Sequence, residues 1–173
     1  MINLLNEIPN FEDNKTISLF EEFDSLNNQD FLSKEQILKI LMWKSPRPKH
    51  LYYSNSEEDV NEITYHAFKT DNDSLKIHIL TALKGVSYPA ASAILMFHNP
   101  TKFAVIDIRV WRQLYKAKLV DSNPTGQNFS LKECELFYQV IRKLASEMNL
   151  TARQVEKRIF DYDRKTQEGN LYK

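Results

Sequence analysis

Apolar residues recur every three or four positions through most of this chain, and side chains suited to helix capping stand just ahead of several of those runs. Ser33 is followed three residues later by Gln36, with Leu32 before the cap and Ile37 four residues after it. This is a capping box with a hydrophobic staple, and Ile37, Leu38, Ile40 and Leu41 continue as an apolar face. Ser130 with Glu133 repeats the box ahead of Phe137, Ile141 and Leu144. Thr151 with Gln154, flanked by Leu150 and Val155, opens a last helix carrying Ile159 and Phe160. Periodicity alone predicts helices near Thr16 to Leu26 (Ile17, Phe20, Phe23) and Glu57 to Phe68 (Val60, Ile63, Ala67). Asp73 is expected to cap a helix from Ser74 to Lys84, with Leu75, Ile79, Leu80 and Leu83 facing inward.

Breaks fall at Ser45-Pro46-Arg47-Pro48, Asp71-Asn72, His98-Asn99-Pro100 and Asp121 to Asn128. The pattern predicts an all-α protein of about eight helices in two packed lobes, with almost no strand. No repeat, low-complexity tract or long linker interrupts it. Residues 1–14 are expected to be flexible, 15–168 to form a single helical domain, and 169–173 to be a tail.

Composition narrows the choices. With 173 residues the chain can bury a real core. Three glycines weigh against barrels, sandwiches and glycine-rich nucleotide loops. Net charge is zero, so any nucleic-acid affinity must come from a local basic patch. A single cysteine, Cys134, excludes a disulfide framework and a cysteine-ligated iron–sulfur cluster. The four histidines show no metal-ligand spacing, and no metal is expected. The chain has no basic-then-apolar leader or membrane-length apolar run, so a cytoplasmic location and no membrane partner are expected.

The richest chemistry lies between Leu80 and Tyr115. Gly85 follows Lys84 where a left-handed residue suits a helix end, Val86 can plug between two helices, and Ser87 or Tyr88 can cap the next. Pro89 suits the first helical position, and Ala90, Ala91, Ser92 and Ala93 allow close helix approach. Such a hairpin, spanning about 74–98, turns backbone N–H groups and a helix N-terminus outward, an arrangement suited to a phosphate. Further along, Val105-Ile106-Asp107-Ile108-Arg109-Val110 places one carboxylate at the start of another helix, where it also serves as an ordinary N-cap.

Leu83-Lys84-Gly85-Val86-Ser87, the helix Ala90 to Phe97, and the Asp107 segment, 22 positions after Gly85, together resemble the helix-hairpin-helix (HhH-GPD) DNA glycosylase superfamily. The resemblance covers roughly a fifth of the chain. It implies an endonuclease III-like fold without the iron–sulfur cluster, and a duplex DNA partner gripped by the hairpin backbone, in some members through a bound monovalent cation. It also implies a nucleotide flipped into a cleft, because the glycosidic bond is inaccessible inside the stack, and Asp107 as the catalytic aspartate of base excision repair. The family's Schiff-base lysine position falls at Pro89, which has no amine, so hydrolytic base release without lyase activity is expected. The usual second hairpin glycine is Ser87.

Beside Asp107, the DNA-binding candidates are Lys84, Gly85, Val86, Ser87, Tyr88, Arg47, Lys49, Arg109 and Arg112. Trp43, Tyr52, Tyr53 and Trp111 are candidates for a base pocket. No protein partner is evident and a monomer is expected. Two other readings stay open: a hairpin module that binds DNA without chemistry, and a helical protein-interaction domain, which the zero net charge favours.

Overall fold

The computed structural model describes residues 1–23 and 26–169 and, among these, forms ten α-helices, one short 3₁₀ turn and no strand. The chain is all-α. The helices are α1 (Ile2–Asn6), α2 (Asn14–Glu22), α3 (Lys34–Lys44), α4 (Lys49–Tyr53), α5 (Glu57–Lys69), α6 (Asp73–Leu80), α7 (Tyr88–His98), α8 (Ile108–Lys116), α9 (Leu131–Met148) and α10 (Ala152–Thr166). The two beyond the expected eight, α1 and α4, have five residues each, too few to display an apolar period.

All three expected capping boxes form, at Ser33, Ser130 and Thr151, and a fourth at Ser56 with Asp59 opens α5. At α6 the cap differs from expectation. Asn72, in extended geometry, accepts from the Leu75 N–H (3.0 Å), while Asp73 lies inside the helix. Asp73 instead pairs with Lys102 (2.8 Å) and Arg142 (2.7 Å), tying α6 to α9 and to the loop after α7. Helix α6 ends at Leu80 rather than Lys84. The Thr81, Ala82 and Leu83 N–H groups bond three residues back, and the Thr81 hydroxyl takes the His78 carbonyl, so the chain tightens into the hairpin. Leu75, expected to face inward, is exposed, and Ile77 is buried.

Helix α7 is the centre of the fold. Every residue from Ala90 to Phe97 is buried, as a helix apolar all round requires. It packs on α3 and α6, and Phe97 receives the rings of Phe20, Phe23 and Trp43. Helix α10 packs on α8, α9 and α1, and α6 on α9, so α3–α7 and α8–α10 share one continuous buried cluster from Leu5 to Ile159. The opening segment, expected to be flexible, lies on α10. Leu5 is buried, Arg158 donates to the Leu5 carbonyl (3.0 Å), and Arg153 pairs with Glu12 (2.7 Å). Residues 170–173 of the expected tail, and Asp24 and Ser25 at the end of the expected first helix, lie outside the described residues. No described helix is long and apolar enough to cross a membrane.

Candidate functional site

The buried stretch Phe103 to Ile106 leads to Asp107 in extended conformation (φ −136°, ψ 146°), the N-cap of α8, whose Oδ1 accepts from the Arg109 N–H (3.0 Å). Ser92 on α7 fixes this stretch. Its fully buried Oγ accepts from the Ile106 N–H (2.8 Å) and donates to the Pro89 carbonyl (2.8 Å), joining the residue before Asp107 to the start of α7. A hydroxyl among Ala90, Ala91 and Ala93 was the only sequence signal for this role.

The other oxygen of Asp107 accepts from Lys44 Nζ at the end of α3 (2.9 Å). Burial opposes ionisation of this carboxyl, but the charge and hydrogen bond of Lys44, with help from Arg109, hold it below the usual carboxylate range. Asp107 is therefore both a cap and a charged group in a cavity wall. The pairing spans 63 residues, and no local pattern announces it.

Asp107 and Lys44 line an open cleft of about 770 Å³, and Gly85 through Ala90 line the same cleft, so hairpin and carboxylate share one space. Arg47, Tyr52 and the Gly126 to Phe129 loop complete it. Among the described residues its wall carries two cations, Lys44 and Arg47, and one carboxylate, that of Asp107.

In the hairpin, Gly85 has φ +82°, as expected at a left-handed turn. A side chain there is also barred by α4, since a Cβ would lie 2.8 Å from Leu51 Cβ and 3.1 Å from the Tyr52 ring. The glycine thus serves helix packing as well as the turn. Val86 plugs the interior and is buried. Asn55, buried after α4, accepts from the Lys84 N–H (2.8 Å) and donates to the Lys84 carbonyl (3.2 Å), clamping the hairpin from outside. Ser87 is the N-cap of α7 without a side-chain cap bond, and Pro89 occupies the second helical position rather than the first. The first turn of α7 therefore begins beside the cleft with uncapped N–H groups.

The remaining candidates divide. Tyr52 is buried in the cleft wall. Trp43 lines a second cavity, its Nε1 bonded to Thr16 (3.0 Å). Trp111 is a core residue instead, fully buried with Nε1 donating to the carbonyls of Ser122 (3.3 Å) and Asn123 (2.8 Å). Tyr53 is exposed and, with Lys49 and Lys84, lies off the cleft wall. Arg109 turns to α10, where it pairs with Asp163 (2.9 Å) and Gln167 (2.7 Å), and Arg112 lines a separate crevice with Asp163. Both arginines follow Asp107 closely in sequence, but the helical turn carries them away from it.

The second cavity, of about 450 Å³, lies between the start of α2, the end of α3 and α10. It shares Lys44 and Asp107 with the cleft, so the ion pair is a wall common to both. Glu156, also in its lining, escaped the sequence reading because it sits within an unremarkable charged helix. Among the described residues no group of three or more histidine, cysteine or acidic side chains is placed to hold a metal ion. The chain matches no protein-family model, no curated protein and no solved structure.

Proposed function

We propose that this chain is a DNA N-glycosylase-like hydrolase that releases a damaged or modified base without Schiff-base lyase chemistry. The observation that carries this reading is that Asp107, the one carboxylate in the cleft wall among the described residues, shares the cleft with the hairpin Gly85 to Pro89 and the cations Lys44 and Arg47. A phosphate at the hairpin would meet the uncapped start of α7 in a cleft that Lys44 and Arg47 also line. The sugar of a flipped nucleotide then reaches Asp107. Its carboxylate, kept ionised by Lys44, stabilises positive charge developing on the sugar as the base leaves, or orients the attacking water. Of the hairpin carbonyls, those of Leu83, Lys84 and Ser87 already accept hydrogen bonds. Those of Gly85 and Val86 accept none among the described residues and are left to bind a monovalent cation, which would strengthen the phosphate grip.

One observation favours a second reading, a hairpin module that binds DNA without chemistry. Lys44 occupies an oxygen of Asp107, and a carboxylate so neutralised offers less charge to a cationic sugar. The two readings separate in one experiment. Purified protein is incubated with duplexes carrying alkylated, oxidised, deaminated or mismatched bases, and alkali-labile sites and duplex affinity are scored together. The glycosylase reading expects base release from at least one duplex and its loss, by about 100-fold or more, in Asp107→Asn. Salt-dependent binding with no release from any duplex supports the binding module, and release that survives Asp107→Asn refutes the role given to Asp107.

A further inference from the structure

We propose that the second cavity, beyond the Lys44–Asp107 pair, is the chamber that receives the released base, and that Glu156 selects there for a guanine-type base presenting N–H donors on its pairing edge. The inference rests on the glycosylase reading and names the substrate class of that site.

A bond broken at Asp107 has the sugar and its phosphates on one side and the base on the other. Two cavities meet at Asp107, and only the larger contains the hairpin. With the backbone at the hairpin, the base is directed to the smaller one.

The lining of that chamber is suited to a flat heterocycle. Phe160 faces it, and Arg109, which does not line it, lies against the Phe160 ring at 5.8 Å. Phe11 stands in its wall with 68% of its surface exposed, an unusual position for a large apolar ring and a ready platform for stacking. Trp43 is a fixed wall, held by its bond to Thr16 and by Arg153 against its ring (5.7 Å).

The polar groups then set the choice of base. Of the chamber's charged side chains, Lys44 pairs with Asp107, Lys157 with Asp161, Asp13 is occupied as the α2 cap, and Arg164 is exposed to solvent. Glu156 differs. It is 2% exposed, its Oε2 accepts from Arg153, and among the described residues no protein donor reaches Oε1. Arg153 divides its guanidinium between Glu156 and Glu12, so one cation serves two carboxylates. Burial, reinforced by the nearby charge of Asp107, pushes the Glu156 carboxyl upward, while Arg153 opposes that shift. That oxygen is unpartnered but not sealed off, so an N–H donor from a ligand in the chamber can reach it and bond to it. A guanine-type edge offers adjacent ring and amino N–H donors. A thymine-type edge places carbonyl oxygens on both sides of its one N–H, and these are repelled by the carboxylate.

The test uses the full chain and free nucleosides. Trp43 lines the chamber and the other tryptophan, Trp111, is buried away from it, so tryptophan fluorescence reports binding. Deoxyguanosine should bind about tenfold tighter than thymidine, a preference that falls to within about twofold in Glu156→Gln, where the amide keeps the shape but weakens the acceptor. Phe11→Ala should weaken both nucleosides about fivefold and leave their ratio unchanged. Equal binding of the two nucleosides, no binding of either, or an unchanged ratio in a folded Glu156→Gln overturns the proposal. Should Glu156→Gln fail to fold, the wild-type ratio and Phe11→Ala still decide. Duplex affinity is measured in parallel. Normal duplex binding without nucleoside preference sinks the chamber alone, whereas nucleoside preference without duplex binding sinks the DNA reading and leaves the chamber standing.

Discussion

Replacing Lys44 by methionine keeps the length of the side chain and removes the ammonium from a pair whose side chains are only 16% and 19% exposed. Removing one partner costs about 3–5 kcal/mol in a fully buried pair and about 1 kcal/mol or less in an exposed one. At this depth the loss should be about 2 kcal/mol at neutral pH, because Asp107 is left charged with only the Arg109 N–H and its distant guanidinium for support. Burial, already the largest single influence on the carboxyl, is then no longer outweighed, and its pKa should rise above the ordinary 3.8. The pH dependence at this position changes sign. In the natural protein the folded carboxyl titrates below its unfolded value, so its stabilisation is present above that value and is lost as pH falls through the folded one. In Lys44→Met the folded carboxyl titrates above its unfolded value, so its contribution is present in acid and is lost as pH rises. The stability gap between the two proteins should therefore stay level near pH 7 and narrow as pH falls through the variant's raised pKa towards about pH 3. Urea unfolding across that range measures the gap, and carboxyl carbon NMR follows Asp107 directly. A gap of constant size, or an Asp107 that still titrates below 3.8 in the variant, would refute this account of what holds the carboxylate.

Two further substitutions probe the frame around the site. Ser92→Ala removes the acceptor of the buried Ile106 N–H and should cost about 1–3 kcal/mol by urea unfolding, with a fall in any base-release rate as Asp107 loses its fixed approach. A loss under about 0.5 kcal/mol would mean that the extended stretch is held without Ser92. Gly85→Ala combines a left-handed backbone with a methyl group 2.8 Å from Leu51 Cβ, and should lower stability by about 2–4 kcal/mol. Weakened DNA binding in that variant must be read against its thermal unfolding. A variant as stable as the natural chain would show that α4 yields to the added carbon.

Most of the scaffold could be read from the sequence because capping and amphipathicity are local. Ser33 with Gln36, Ser130 with Glu133 and Thr151 with Gln154 each need only four consecutive residues to form their bonds. Where local rules offered two adjacent candidates they could mislead. Asn72 and Asp73 are both good caps, and the choice went to Asn72 because Asp73 is drawn to Lys102 and Arg142, side chains far along the chain. The same distinction runs through the site. Asp107 as a cap, the left-handed Gly85 and the interior Val86 were visible in short motifs. Lys44 beside Asp107 and Glu156 in the second cavity depend on tertiary packing, and neither has a local signature. Arg109, Arg112 and Trp111 show the converse, since closeness in sequence to Asp107 does not put their side chains in its cleft.

The Asn55 clamp bears on how this hairpin can be used outside its own protein. Both backbone groups of Lys84 are held by one amide that lies 29 residues upstream, and the wall that fits against Gly85 comes from Leu51 and Tyr52. A peptide cut to residues 74–98 would leave behind the amide that orients the turn and the surface that shapes it. The hairpin is therefore not a portable cassette. Grafting it onto another scaffold would require carrying α4 and Asn55 with it, so that the smallest transferable unit is a discontinuous one.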